Sequence, residues 1–144
     1  MMSVLVDMLM RHEGVRLKPY KDSVGKLTIG VGRNLDDIGI SKDEAVLLLQ
    51  NDIDRVTAEL RKALPWFSNL DAVRQDALID LGFNLGVLTG NPPKLLTFKD
   101  TLKAFEGNEW ETVCCRLENT LWRKQVGQRA DELMAMIRTG QYQV

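Results

Sequence analysis

The chain has 144 residues and a net charge of −1, with 44% hydrophobic and 27% charged residues. That is enough for one real hydrophobic core, which a cleft can divide into two lobes, and it is the composition of neither a disordered chain nor a membrane protein. No long block of one sign appears, which argues against a nucleic-acid binder and for any polymer ligand being gripped locally.

The run from Met1 to Arg11 is apolar, but Asp7 interrupts it and it lacks a basic leading region and a small-residue cleavage site. It therefore predicts a helix rather than a signal segment, with Ser3 as N-cap. Glu13 follows Leu5 and Leu9 at intervals of four, which puts its carboxylate on the apolar stripe, facing the core or a cleft wall. Gly14 marks the helix end, so burial and the negative end of the helix dipole are both expected to raise the Glu13 pKa. A carboxyl that stays protonated near neutral pH can act as a general acid. His12 points elsewhere on the helix and reads as a surface or boundary residue.

Residues 15–33 predict a small β region. Asp22 sits in the turn signal Asp22-Ser23-Val24-Gly25, where a carboxylate is solvated and ionised and so suits the second role of a carboxylate pair. From Leu27 to Gly32 the pattern alternates, with Leu27, Ile29 and Val31 on one face and Thr28, Gly30 and Gly32 on the other. The second face has little to give a core. It lets a ligand approach the backbone, with the Thr28 hydroxyl available to hold a water.

Residues 34–39 form a polar connection. Ser41 and Glu44 then make a capping box that opens a helix over about 42–64, with Ala45, Leu49, Ile53, Val56, Leu60 and Leu64 as its core stripe and Pro65 as its stop. Asn69 to Ala72 caps the next helix, whose inward residues are Leu70, Val73, Ala77, Leu81 and Leu85 and whose end is Gly86. Gly90-Asn91-Pro92-Pro93 reads as a loop. Beyond it Phe98, Leu102 and Phe105 mark a helix stopped at Gly107, and Trp110, Val113, Cys114 and Leu117 mark a second one opened by Asn108. Ala130, Leu133 and Ile137 mark the last, after Trp122 and stopped by Gly140. Adjacent cysteines, Cys114 and Cys115, cannot readily close a disulfide, which fits a reducing compartment. With a single histidine there is no His-rich metal site, and no metal or cofactor is expected.

Glu13-Gly14, Tyr20-Lys21-Asp22 and Thr28-Ile29-Gly30-Val31-Gly32 occur in one order and at one spacing, Glu-x8-Asp-x5-Thr. In these residues the chain resembles the phage-type lysozymes, the endolysins of the T-even kind. Asn108-Glu109-Trp110 and Trp122-x6-Arg129-Ala130 extend the resemblance over nearly the whole chain. It implies an α+β, lysozyme-like single domain: a β-containing lobe over about 14–40, a connecting helix over about 41–64, and a helical lobe over about 65–144 that takes in the N-terminal helix. The connection from Arg33 to Ser41 is shorter than in the T-even type, which implies fewer contacts to distal sugars. The resemblance further implies an inverting N-acetylmuramidase acting on bacterial peptidoglycan, with Glu13, Asp22 and Thr28 as catalytic residues. Arg129 would pair with Glu13, Asn84 after Phe83 would line the cleft, and Asn34 would support it. A monomer without stable membrane association is implied, accumulating in the host cytoplasm and reaching the wall with the help of a holin. Two other readings stand beside this one, a non-catalytic wall-binding or phage structural module and a lytic transglycosylase. The latter needs the glutamate but no second carboxylate, so Asp22 and Thr28 count against it.

Overall fold

The computed structural model describes residues 3–90 and 94–143, so the Asn91-Pro92-Pro93 part of the predicted loop lies outside the described residues. Helix α1 spans Val4–Glu13, with the Ser3 hydroxyl accepting from the Val6 N–H at 3.1 Å and Gly14, at φ 75°, closing the C-terminal end. An antiparallel sheet follows in the order β1 (Arg16–Lys21), β2 (Leu27–Gly30), β3 (Arg33–Asn34). Thr28 stands opposite Tyr20 on one side and Asn34 on the other. The β1–β2 register is irregular between Arg16 and Tyr20. Pro19 falls in that interval and has no N–H to give the ladder.

Helix α2 spans Lys42–Ala63, opened by the predicted capping box: the Glu44 N–H donates to the Ser41 hydroxyl at 3.1 Å and the Ser41 N–H to the Glu44 carboxylate at 2.9 Å. Helix α3 spans Ala72–Leu85 from an Asp71 cap to Gly86. After α4 (Lys99–Glu106) and α5 (Trp110–Glu118) comes a short α6 (Leu121–Val126), and α7 (Gln128–Thr139) ends at Gly140 in the left-handed conformation. The separate α6 was not foreseen. Its start is a Thr120 side-chain cap and its end is Gly127 at φ 56°, a break that the apolar spacing alone does not reveal. The architecture is α+β, as expected from the sequence.

By contacts the chain divides into two compact units, Met1–Leu48 and Leu49–Val144, with the boundary inside α2. Helix α1 belongs to the first unit, whereas the sequence reading grouped it with the helical part. The two units differ in how they are held together. Among the described residues of the first unit only Thr28 is buried. The expectation that α1 presents a core stripe is therefore corrected: Leu5 and Leu9 are 56% and 42% exposed, and no residue of α1 is buried. Ten helical residues and three short strands supply too little apolar area to enclose a large apolar side chain. The stripe of α2 likewise holds only for its second half, where Val56 and Leu60 are buried while Leu49 is 45% exposed.

The second unit carries the hydrophobic core, in which Phe67, Leu78, Leu81, Leu95, Phe105, Val113, Leu117 and Ile137 are at most 1% exposed. Arg74 ties three helices at its edge. Its guanidinium lies 4.3 Å above the Trp110 ring and donates to the carbonyls of Ile137 and Arg138, at 2.8 and 3.3 Å, which closes the end of α7. Cys114 is buried, with its thiol donating to the Met134 carbonyl, while Cys115 is exposed and both are free. Burial pushes the Cys114 thiol pKa up.

Gly82 sits inside α3 because its neighbours leave no room for a methyl: a Cβ there would stand 2.8 Å from Val87 Cγ2 and 3.2 Å from Val56 Cγ1. Gly82→Ala gains about 1 kcal/mol of helix propensity. Overpacking costs about 1–3 kcal/mol, so a net loss of up to about 2 kcal/mol is expected. Chemical denaturation of Gly82→Ala, Val87→Ala and the double variant tests this. The double variant should be more stable than additivity predicts, and strict additivity would show that the two side chains do not compete for one space.

Candidate active site

In the first unit the local chain geometry places three groups. Glu13 is the last residue of α1 and is exposed. Its side chain lies along Gly32: a Cβ on that glycine would stand 3.1 Å from Glu13 Oε2, 3.5 Å from Cδ and 3.6 Å from Cγ. Asp22 is half-buried in the turn after β1, where its Oδ1 accepts from the backbone N–H of Val24 at 3.0 Å and of Lys26 at 2.8 Å. Two such bonds fix its orientation. Thr28 is 2% exposed, and its hydroxyl donates to the Lys26 carbonyl at 2.9 Å.

The Lys26 residue is the joint between the last two. Its carbonyl accepts from the Asp22 N–H at 2.9 Å as well as from the Thr28 hydroxyl, and its own N–H goes to the Asp22 carboxylate. Asp22 and Thr28 therefore move together. Because the Thr28 proton is committed to that carbonyl, the hydroxyl oxygen is left to accept. The burial runs opposite to the simplest reading of the alternation. Thr28 is the enclosed residue of β2, while Leu27 and Val31 of the other set are 38% and 40% exposed. On the glycine face, Glu13 lies beside Gly32, while the space where a Gly30 Cβ would stand is open.

The β2–β3 turn that carries Gly32 is pinned through Arg33. That guanidinium donates to the Glu44 carboxylate at 2.8 Å and to the Gly39 carbonyl at 3.1 Å. Asn34, expected to support the site, spends both ends of its amide on Asp37, whose N–H it accepts and whose carboxylate it binds, each at 2.9 Å. The Asp36 carboxylate accepts from the Leu27 N–H at 2.7 Å. The connection over 34–39 is thus a cap on β2.

In the second unit, Arg129 and Phe83 line one pocket of about 410 Å³ with Asp76, Asp80, Ile79, Leu49 and Ile53. Within this unit the carboxylate that holds Arg129 is Asp80, at 2.7 Å. Asp80 lies 49 residues before Arg129, a pairing that no local spacing announces. Phe83 is 45% exposed, as a residue offered to a ligand would be. The Asn84 carbonyl accepts from the Trp122 indole N–H at 2.9 Å, which orients the amide and leaves its NH₂ group to donate.

The family model described as phage lysozyme matches residues 10–138, the stretch that contains all seven of these residues. The chain belongs to the phage lysozyme family. A probable T4-type lysozyme 1 from Dictyostelium discoideum is 29% identical over 97% of this chain and 96% of its own length. An endolysin from Acyrthosiphon pisum secondary endosymbiont phage 1 is 34% identical over 62% of each chain. The pre-baseplate central spike protein Gp5 of Enterobacteria phage T4 is 28% identical over 94% of this chain but only 28% of its own length. Family membership carries a coarse activity with it: a lysozyme is a glycosidase that hydrolyses peptidoglycan.

The Arg33 bond and the Ser41 N–H and hydroxyl hold the Glu44 pKa down at about 2, against an ordinary 4.5. A depressed carboxylate pKa stabilises the fold above its unfolded value, and that stabilisation is lost as pH falls from about 4.5 through about 2. The pair is well exposed, so the effect is modest. Wild type should melt above Glu44→Gln at neutral pH, and the two melting temperatures should converge as pH approaches about 2. A gap that persists unchanged in acid would mean that Glu44 contributes through shape and not charge.

Proposed function

We propose that the chain is an N-acetylmuramidase that hydrolyses the β-1,4 bond between N-acetylmuramic acid and N-acetylglucosamine in bacterial peptidoglycan by an inverting acid/base mechanism. The observation that carries the reading is the division of labour between two carboxylates in one small unit. Glu13 is an exposed side chain free to meet a glycosidic oxygen, and Asp22 is held by two backbone N–H bonds in one orientation, as a group that directs a water must be. Glu13 protonates the leaving oxygen. Asp22, with Thr28 tied to it through Lys26, orients and activates the attacking water and stabilises the positive charge that develops at the anomeric carbon. Inversion requires the two carboxyl groups to stand about 6.5–9.5 Å apart, with the water between them. Phe83, Asn84 and Arg129 supply binding surface, and no metal or cofactor enters the scheme.

The enzyme acts as a monomer. It accumulates in the host cytoplasm and reaches the wall once a holin has opened the membrane; none of its described helices is long and apolar enough to cross that membrane by itself. The match to a 28% portion of a spike protein favours a second reading, a lysozyme module built into a phage particle. A lytic transglycosylase is disfavoured by the fixed second carboxylate, for which it has no use.

Glu13→Gln keeps the shape of the side chain and removes the transferable proton. It should lower wall lysis by about 10²-fold or more with the melting temperature held within a few degrees. Turbidity loss of purified walls measures the rate, and the released ends identify the reaction. Reducing N-acetylmuramic acid, formed first as the inverted anomer, supports the proposal. Anhydro ends would assign a transglycosylase, absence of lysis by wild type would assign a binding module, and rapid lysis by folded Glu13→Gln would remove Glu13 as the acid.

A further inference from the structure

We infer that Gly32 is a positioning residue for the general acid: the missing side chain at this one place makes the slot in which the Glu13 carboxyl is laid. The inference rests on the reading of Glu13 as proton donor. Cγ, Cδ and Oε2 of the Glu13 side chain run along the place where a Cβ would be, at 3.6, 3.5 and 3.1 Å. A methyl there would press on Oε2 and push the carboxyl aside by a few tenths of an ångström, while Cγ and Cδ, at ordinary contact distance, line the rest of the slot. Both ends of the arrangement are fixed. On the Glu13 side, Gly14 closes α1 with its N–H on the Met10 carbonyl. On the Gly32 side, the next residue, Arg33, is bound to Glu44 and to the Gly39 carbonyl, so the turn has little freedom to retreat. A line of contacts thus runs from the Ser41–Glu44 cap through Arg33 and Gly32 to the acid.

Gly32 has φ 71°, so any side chain there also strains the backbone, and the two effects must be separated. Gly39 is the matched control. It lies in the same unit at φ 68°, and a Cβ on it meets nothing nearer than the Leu35 carbonyl at 3.9 Å. Gly32→Ala and Gly39→Ala should lose comparable thermal stability. Only Gly32→Ala should lose turnover, by about tenfold or more in kcat with KM within about twofold, since a displacement of a few tenths of an ångström to one ångström misplaces the proton. The limb of its kcat–pH profile that reports the acid should also move. The measurement uses the full chain on purified walls and on a soluble muropeptide oligomer. A kcat for Gly32→Ala equal to that of Gly39→Ala overturns the proposal. So does an equal loss of kcat in both, which would trace the effect to backbone strain. If Gly32→Ala is too unstable to assay, Glu13→Ala is added to it. Relief of the excess destabilisation by removing the glutamate supports the slot, and no relief overturns it. Lysis by Glu13→Gln defeats the catalytic assignment itself, whereas an inactive Glu13→Gln beside a fully active Gly32→Ala defeats the slot alone.

Discussion

The ion pair between Arg33 and Glu44 matters more to the first unit than its exposure suggests, because that unit has almost no buried side chains to do the same work. Exposed pairs usually contribute little, since water competes for both partners and two long side chains must be ordered. Here each partner already has a second task. Glu44 is the return half of a capping box, and Arg33 is a sheet residue paired with Ile29 that also reaches the Gly39 carbonyl. The pair joins a turn of the sheet to the start of a helix through groups that are ordered by other bonds, which lowers the entropy cost of making it. It is a positional device, and the residue next to Arg33 is the glycine against which Glu13 lies.

Polar backbone bonds fill the same role around Asp22. The backbone of one residue, Lys26, serves the carboxylate through its N–H, and the turn and the Thr28 hydroxyl through its carbonyl. Such an arrangement gives angular precision with few residues, as preorganised catalysis requires, because a charged or hydroxyl group with two fixed partners cannot wander. The second unit works differently. Its helices enclose a continuous apolar core, and its polar groups, such as Arg74 across Trp110 and the end of α7, seal the edges of that core. Hydrogen bonds hold the first unit and burial holds the second, and the chemistry proposed for the first needs exposed, oriented groups where stability needs hidden ones.

Much of this was legible in the sequence. The caps at Ser3, Ser41 and Glu44, the stops at Gly14, Gly86 and Gly140, and the hairpin-forming stretch after Asp22 are local signals, set by backbone geometry within a few residues. The order and spacing of Glu13, Asp22 and Thr28 sufficed to point to the phage lysozymes, and the family match bears that out. Helical periodicity, in contrast, says which residues can share a face but not whether anything covers that face. For this reason Leu5, Leu9 and Leu49 were read as core residues and are not buried.

What the sequence determined by itself, then, is most of the helix caps and stops, which family the chain joins, and the three side chains proposed for acid/base work. The tertiary structure decided their surroundings: that Glu13 is exposed and lies against Gly32, that Thr28 is enclosed, that Arg129 is held by Asp80, and that Asn84 is oriented by Trp122. The physical reason is distance along the chain. Caps and turns are settled among neighbours by dihedral preference and by bonds spanning three or four residues, whereas these contacts join segments from 19 to 49 residues apart and exist only once the chain has closed on itself.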